Sequence, residues 1–131
     1  MPASPAYGAR AYRQVQVESS QSPLELVVML YDGALGSLAQ ARAALERRDL
    51  VAKGREMSKA LSIVGHLQGT LNMEGGREIA QELDRLYVYI TERLLEANMK
   101  RTVEPIDESM KLLTTLRDAW AQTASSPVAT P

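Results

Sequence analysis

Apolar positions along the chain fall into four runs with helical spacing, and the first run is the most pronounced. Between Ser22 and Ala41, residues Leu24, Val27, Val28, Tyr31, Leu35 and Leu38, continued by Leu45, recur three or four residues apart. That is the rhythm of one buried helix face. Ser22 and Pro23, with Glu25 three residues after Ser22, form a helix-start signal. The hydroxyl can cap a free amide, the proline lacks an N–H where none is needed, and the carboxylate can close a capping box. The spacing predicts a helix from Pro23 to about Arg47. Leu26 to Tyr31 is apolar at every position, more than a single face requires. Such a helix needs a second surface, from a neighbouring helix or from a partner.

The remaining runs predict three more helices. Asp49 is placed to cap a second helix over about Leu50 to Met73, with Met57, Leu61, Val64, Gln68 and Leu71 at core spacing. Beside that face runs a small-residue stripe of Gly54, Ser58, Ser62, Gly65 and Gly69, readable as a shallow groove or as ordinary exposed surface. Gly75-Gly76 predicts a tight turn. The third helix, about Arg77 to Asn98, is expected to bury Ile79, Leu83, Leu86, Ile90, Leu94 and Ala97, with Tyr87, Tyr89 and Leu95 adding apolar bulk off that face. The fourth follows Thr102 as a cap, tolerates Pro105 in its first turn, and carries Ile106, Met110, Leu113, Leu116 and Trp120 at core spacing. Asp107 is spaced to pair with Lys111. Short turns between helices of similar length imply an all-α antiparallel four-helix bundle over residues 22–122. A short N-terminal segment, 1–21, able to dock on the bundle precedes it, and a disordered tail, 123–131, follows.

Composition narrows the function. The chain has 131 residues and a formal net charge of −1, so it presents no global basic field for nucleic acid. Cys is absent, which removes disulfides and thiolate metal sites and suits a reducing cytoplasm. The start of the chain lacks the order of a signal peptide, and no apolar run approaches the ~20 residues of a membrane span. Catalysis finds little support. The one His is His66, which falls off the apolar stripe, and Ile63 stands where a four-helix di-iron site would need Glu. Glu74, Glu78 and Glu82 sit at surface spacing beside Arg77 and Arg85. No phosphate-loop pattern occurs. No metal or other cofactor is expected. What remains is a binding module for an amphipathic segment whose apolar face lies in a groove.

Several stretches together resemble the flagellin-specific export chaperones of the FliS family. They begin with Tyr12-Arg13-Gln14-Val15-Gln16-Val17-Glu18-Ser19, then Ser22-Pro23 and Met29-Leu30-Tyr31-Asp32-Gly33-Ala34. Ser58-Lys59-Ala60, Gly75-Gly76-Arg77-Glu78-Ile79-Ala80, Leu86-Tyr87, Arg93-Leu94-Leu95-Glu96-Ala97-Asn98 and Leu116-Arg117-Asp118-Ala119-Trp120 follow in order. The resemblance implies a helical bundle without enzymatic activity. Its client would be the disordered C-terminal segment of flagellin, held in the cytoplasm against premature polymerisation. Delivery to an export gate component of the flagellar type III apparatus would follow. It also implies that the N-terminal segment covers part of the client surface when empty, with Tyr12 as the matching tyrosine.

Combined with the surplus apolar positions, the candidate client contacts are Tyr7, Tyr12, Val15, Val28, Tyr31, Ser62, Gly65, Gly69, Tyr87, Leu94 and Leu95. The glycine and serine positions come from the stripe alone. A monomer or a homodimer is expected, with no nucleic acid and no membrane insertion. The competing readings are a structural helical-bundle oligomer or adaptor unrelated to flagellin, and a small enzyme using Arg and Glu on a non-peptide anion.

Overall fold

The computed structural model of the chain describes residues 23–71 and 73–125. The expected Ser22 cap, the N-terminal segment with Tyr7, Tyr12 and Val15, and residues 126–131 of the expected 123–131 tail lie outside the described residues, while 123–125 continue the last helix. Four helices account for nearly all of the rest: α1 (Pro23–Glu46), α2 (Leu50–Gly69), α3 (Met73–Lys100) and α4 (Glu104–Ser125). Helix α1 packs against α2 and α4, and α3 packs against the same two, so α1 and α3 stand across the diagonal of a square bundle.

Side-chain pairs fix the directions. Arg42, late in α1, holds Asp107, early in α4, while Arg117, late in α4, holds Asp32, early in α1. On the opposite side Lys53 at the start of α2 bonds Asn98 at the end of α3, and Gln68 near the end of α2 bonds Asp84 near the start of α3. Every neighbouring pair is therefore antiparallel, as the spacing of apolar residues predicted. Leu38, Ala41, Met57, Ala60, Val64, Leu67, Ile90, Leu94, Ala97, Ile106 and Leu113 form the buried centre.

Residue Asp49 ends one helix and begins the next. Its amide donates to Ala44 O at 2.8 Å and the amide of Arg48 donates to Leu45 O at 3.1 Å, the paired bonds that close a helix C-terminus. The carboxylate then accepts from the Ala52 amide at 3.1 Å, which caps α2. This turn puts Arg48 at φ 62, a left-handed conformation that disfavours a side chain. At the far end of α2 the helix stops at Gly69, short of the expected Met73, because Thr70 takes the cap position and its hydroxyl donates to Leu67 O at 2.7 Å.

The break expected at Gly75-Gly76 is present and falls at Arg77, with φ 46 and ψ −119, where a short helical stretch from Met73 meets the rest of α3. Two expectations are corrected. Ile79, just past that break, is 71 % exposed instead of buried. Asp107 pairs with Arg42 at 2.6 Å, so the bidentate guanidinium wins over the expected local Lys111.

Lys53 is buried with its ammonium on Asn98 O and Oδ1, at 3.2 and 2.6 Å, which places a cation at the negative C-terminal end of α3. At the start of α4, Glu108 accepts from Tyr89 at 2.6 Å and from Arg93 at 2.7 Å. Those two donors hold its carboxyl below the ordinary glutamate range.

Arg48→Gly removes the side chain from a left-handed position and should raise stability by about 1 kcal/mol in urea denaturation. The depressed Glu108 pKa contributes stability above the ordinary glutamate value, ~4.3, that is lost as pH falls through the lower folded value. Glu108→Gln should therefore lower Tm at pH 7, and the gap to wild type should shrink steadily as pH is taken below about 4.

Candidate functional site

Tyr31 on α1 and Tyr87 on α3 lie across the bundle diagonal, 0 % and 2 % exposed, and their hydroxyls are hydrogen-bonded to each other. Trp120 of α4 donates its indole N–H to the Tyr31 hydroxyl at 3.2 Å. Three helices thus meet in one polar knot inside apolar surroundings. Burial pushes both phenols above the ordinary tyrosine pKa, and the shared hydrogen bond adds to the rise at Tyr87. Neither ionises near neutral pH.

Against this knot opens an apolar cavity of about 240 Å³. All four helices line it: Leu24 and Val27 from α1, Leu67 from α2, Ile79, Ala80 and Leu83 with Tyr87 from α3, and Trp120 from α4. Thr70 and Leu71 close it on the α2 side. Its polar groups already have partners, since Thr70 bonds the backbone and the Tyr87 and Trp120 groups turn to Tyr31. A wall whose side chains leave no donor or acceptor free selects an apolar side chain and penalises a polar one. Volume supports this, being larger than the ~150 Å³ apolar cavity that admits a benzene ring. A second cavity, about 580 Å³, lies at the other end of the bundle, but Glu46, Arg48, Arg101 and Glu104 line it. Chemistry, not size, makes the first the better binding site.

The sequence candidates separate into distinct places. Tyr31, Tyr87 and Leu94 are buried, so in this structure they hold the bundle together; Tyr87 alone among them also lines the cavity. The off-face placement expected for Tyr87 is corrected by its bond across the diagonal to Tyr31. Val28 is half-buried on α1. Ser62, Gly65, Gly69 and Leu95 lie exposed on the outer surface of α2 and α3, away from the cavity lining. Tyr7, Tyr12 and Val15 lie outside the described residues. Leu24, Ile79, Leu83 and Trp120 were legible only as core positions; their convergence depends on the antiparallel register of all four helices. No group of three or more metal-ligating side chains occurs among the described residues.

Compared with known proteins, residues 3–127 match the family described as "Flagellar protein FliS". The chain belongs to the FliS family. A Salmonella typhimurium relative, the "Flagellar secretion chaperone FliS", is 46% identical over 121 residues, covering 89% of this chain and 90% of the relative. The Pseudomonas aeruginosa "Flagellar secretion chaperone FliSB" is 40% identical, covering 85% of this chain and 90% of the relative. Its Bacillus subtilis counterpart is 34% identical, covering 88% and 85%. The FliS relatives are named as secretion chaperones, a family of chaperones and not of enzymes. No helix among the described residues is long and apolar enough to cross a membrane.

Tyr31→Phe leaves both the Trp120 N–H and the Tyr87 hydroxyl without their shared partner, whereas Tyr87→Phe leaves the Trp120 bond intact. Chemical denaturation should show a loss of about 1–3 kcal/mol for Tyr31→Phe and a smaller one for Tyr87→Phe.

Proposed function

We propose that this chain is a cytoplasmic export chaperone that holds the disordered C-terminal segment of flagellin and hands it to the flagellar type III export apparatus. The observation that carries the reading is the apolar cavity beside Tyr87 and Trp120, whose lining side chains offer no unpaired polar group to a ligand. Membership of the FliS family, and the printed names of its relatives, supply the flagellar context.

Mechanistically, an apolar anchor of the client enters the cavity while flanking residues order along neighbouring helix surfaces. Segments that promote subunit assembly are then covered and cannot polymerise. Ordering a disordered client costs conformational entropy, which lowers affinity per unit of buried area and keeps the complex reversible. Reversibility is what delivery to an export gate component requires. Leu24, in the first turn of α1, lines the cavity, and the sequence just before it, with Tyr7, Tyr12 and Val15, is the candidate to cover the same surface before the client arrives.

The test is a labelled peptide of the host's flagellin C-terminal segment, titrated by fluorescence anisotropy. Saturable binding to wild type is expected. Ile79→Asp, at an exposed cavity position, should weaken it by about tenfold with an unchanged helical CD spectrum, since a charge at the mouth must be desolvated on binding. No saturable binding to wild type would contradict the reading.

A further inference from the structure

The second cavity opens at the end of the bundle where α1 turns into α2 and α3 turns into α4. It is unsuited to an apolar anchor, but its residues carry a pattern of their own. Arg48 follows α1, Arg101 follows α3, and both line it. Both also hold a positive φ, 62 and 57, two of the three residues other than glycine that do so among the described residues. A Cβ is strained in that conformation, and glycine is the usual residue just past a helix end. A cation gains from the helix dipole without that strain when it stands in the last turn, as Lys100 does. Helix closure alone therefore does not explain an arginine at either position.

Pairing sharpens the pattern. Neighbouring cations are engaged: Arg42 holds Asp107 at 2.6 Å, Arg47 approaches Asp49 at 3.6 Å, Lys53 holds Asn98, and Lys100 approaches Glu96 at 3.7 Å. Arg48 and Arg101 have no acidic partner among the described residues, although Glu46 and Glu104 line the same cavity. Glu46 turns to Arg42 at 2.9 Å, and Glu104 has no cation partner among the described residues.

Each guanidinium offers a planar fork of donors that matches a carboxylate. Beside them the wall is apolar, with Leu45 buried, Val103 half-buried and Leu50 38 % exposed. Glu104 adds an acceptor for an N–H group. A dense dianion such as phosphate would gain from the two arginines and lose to the two glutamates, since the four side chains sum to zero charge. A single carboxylate on an apolar body, with amide N–H groups close by, satisfies the guanidiniums, the wall and the acceptor together. We propose that this end of the bundle is a second binding site, for a polypeptide segment in which an Asp or Glu stands beside an apolar side chain. Its volume, about 580 Å³, lies within the range of ligand sites. Leu24 and Leu45, one at each cavity, are about 30 Å apart along α1 at ~1.5 Å per residue. The site is thus separate from the client cavity, and the inference does not depend on what occupies that one.

Two-dimensional NMR of the full isotope-labelled chain tests this with acetyl-Leu-Glu-Leu-amide as the probe. The Nε–H resonances of Arg48 and Arg101 should shift saturably. Acetyl-Leu-Gln-Leu-amide should bind about fivefold more weakly, and so should inorganic phosphate. Arg48→Gly and Arg101→Gly should each weaken the acidic peptide about fivefold while raising resistance to urea, because each removes a donor fork and a strained Cβ together. A purely structural role would not move binding and stability in opposite directions. Saturable shifts absent from both arginines overturn the proposal. So does a glutamine peptide or phosphate that binds as tightly as the acidic peptide, or a pair of glycine variants that bind it as wild type does.

Discussion

Two phenol hydroxyls placed in the middle of an apolar bundle must bond to something, and here they bond to each other. Leaving either unsatisfied would cost on the order of 1–3 kcal/mol, so the Tyr31–Tyr87 contact fixes how far apart α1 and α3 stand across the diagonal. Trp120 joins the same hydroxyl from α4 and is thereby held at the edge of the core, not in its centre. The cavity follows from that arrangement. Aromatic groups whose polar ends are consumed by one another present only apolar ring surface to the open side. A single interaction thus contributes to cohesion and defines a wall that discriminates by polarity.

Strength is distributed unevenly around the bundle. The α1–α4 seam is clamped at both ends by arginine–carboxylate pairs, and the α3–α4 seam by Arg93 and Tyr89 on Glu108. Between α1 and α2 the packing is close: a Cβ added at Gly33 would come within 3.3 Å of Ile63 Cδ1. The Lys53 and Gln68 bonds cross the α2–α3 seam, where no arginine–carboxylate pair occurs among the described residues. It is also the seam whose outer face carries uncovered apolar side chains and glycines without contacts. The cavity, by contrast, opens between the ends of all four helices and belongs to no single seam.

Much of the architecture was readable because apolar periodicity and cap chemistry are local properties. Asp49 as a cap, the core stripes of Val64, Ile90, Leu94 and Leu113, and the antiparallel order all follow from spacing and short turns. The errors arose where a non-local partner outweighed local spacing. Asp107 preferred a bidentate arginine 65 positions away to the lysine one turn ahead. Tyr87 reads as off-face on α3 alone, and only its partner on α1 explains its burial. Ile79 loses its core place because the helix breaks at Arg77, two residues before it. The cavity was the least legible feature, since its wall is assembled from four helix ends. The glycine stripe was legible as two readings, a shallow groove or ordinary exposed surface, and a Cβ at Gly54 or Gly65 would meet nothing within 4 Å.

Trp120 is the chain's single tryptophan and part of the cavity wall, so its fluorescence reports on that site alone. The most direct measurement is its emission during titration with a tryptophan-free peptide of the flagellin C-terminal segment, with binding followed independently. The account predicts a saturable change in Trp120 emission that tracks binding. Peptide that binds while the Trp120 emission stays unchanged would contradict the claim that this cavity receives the client.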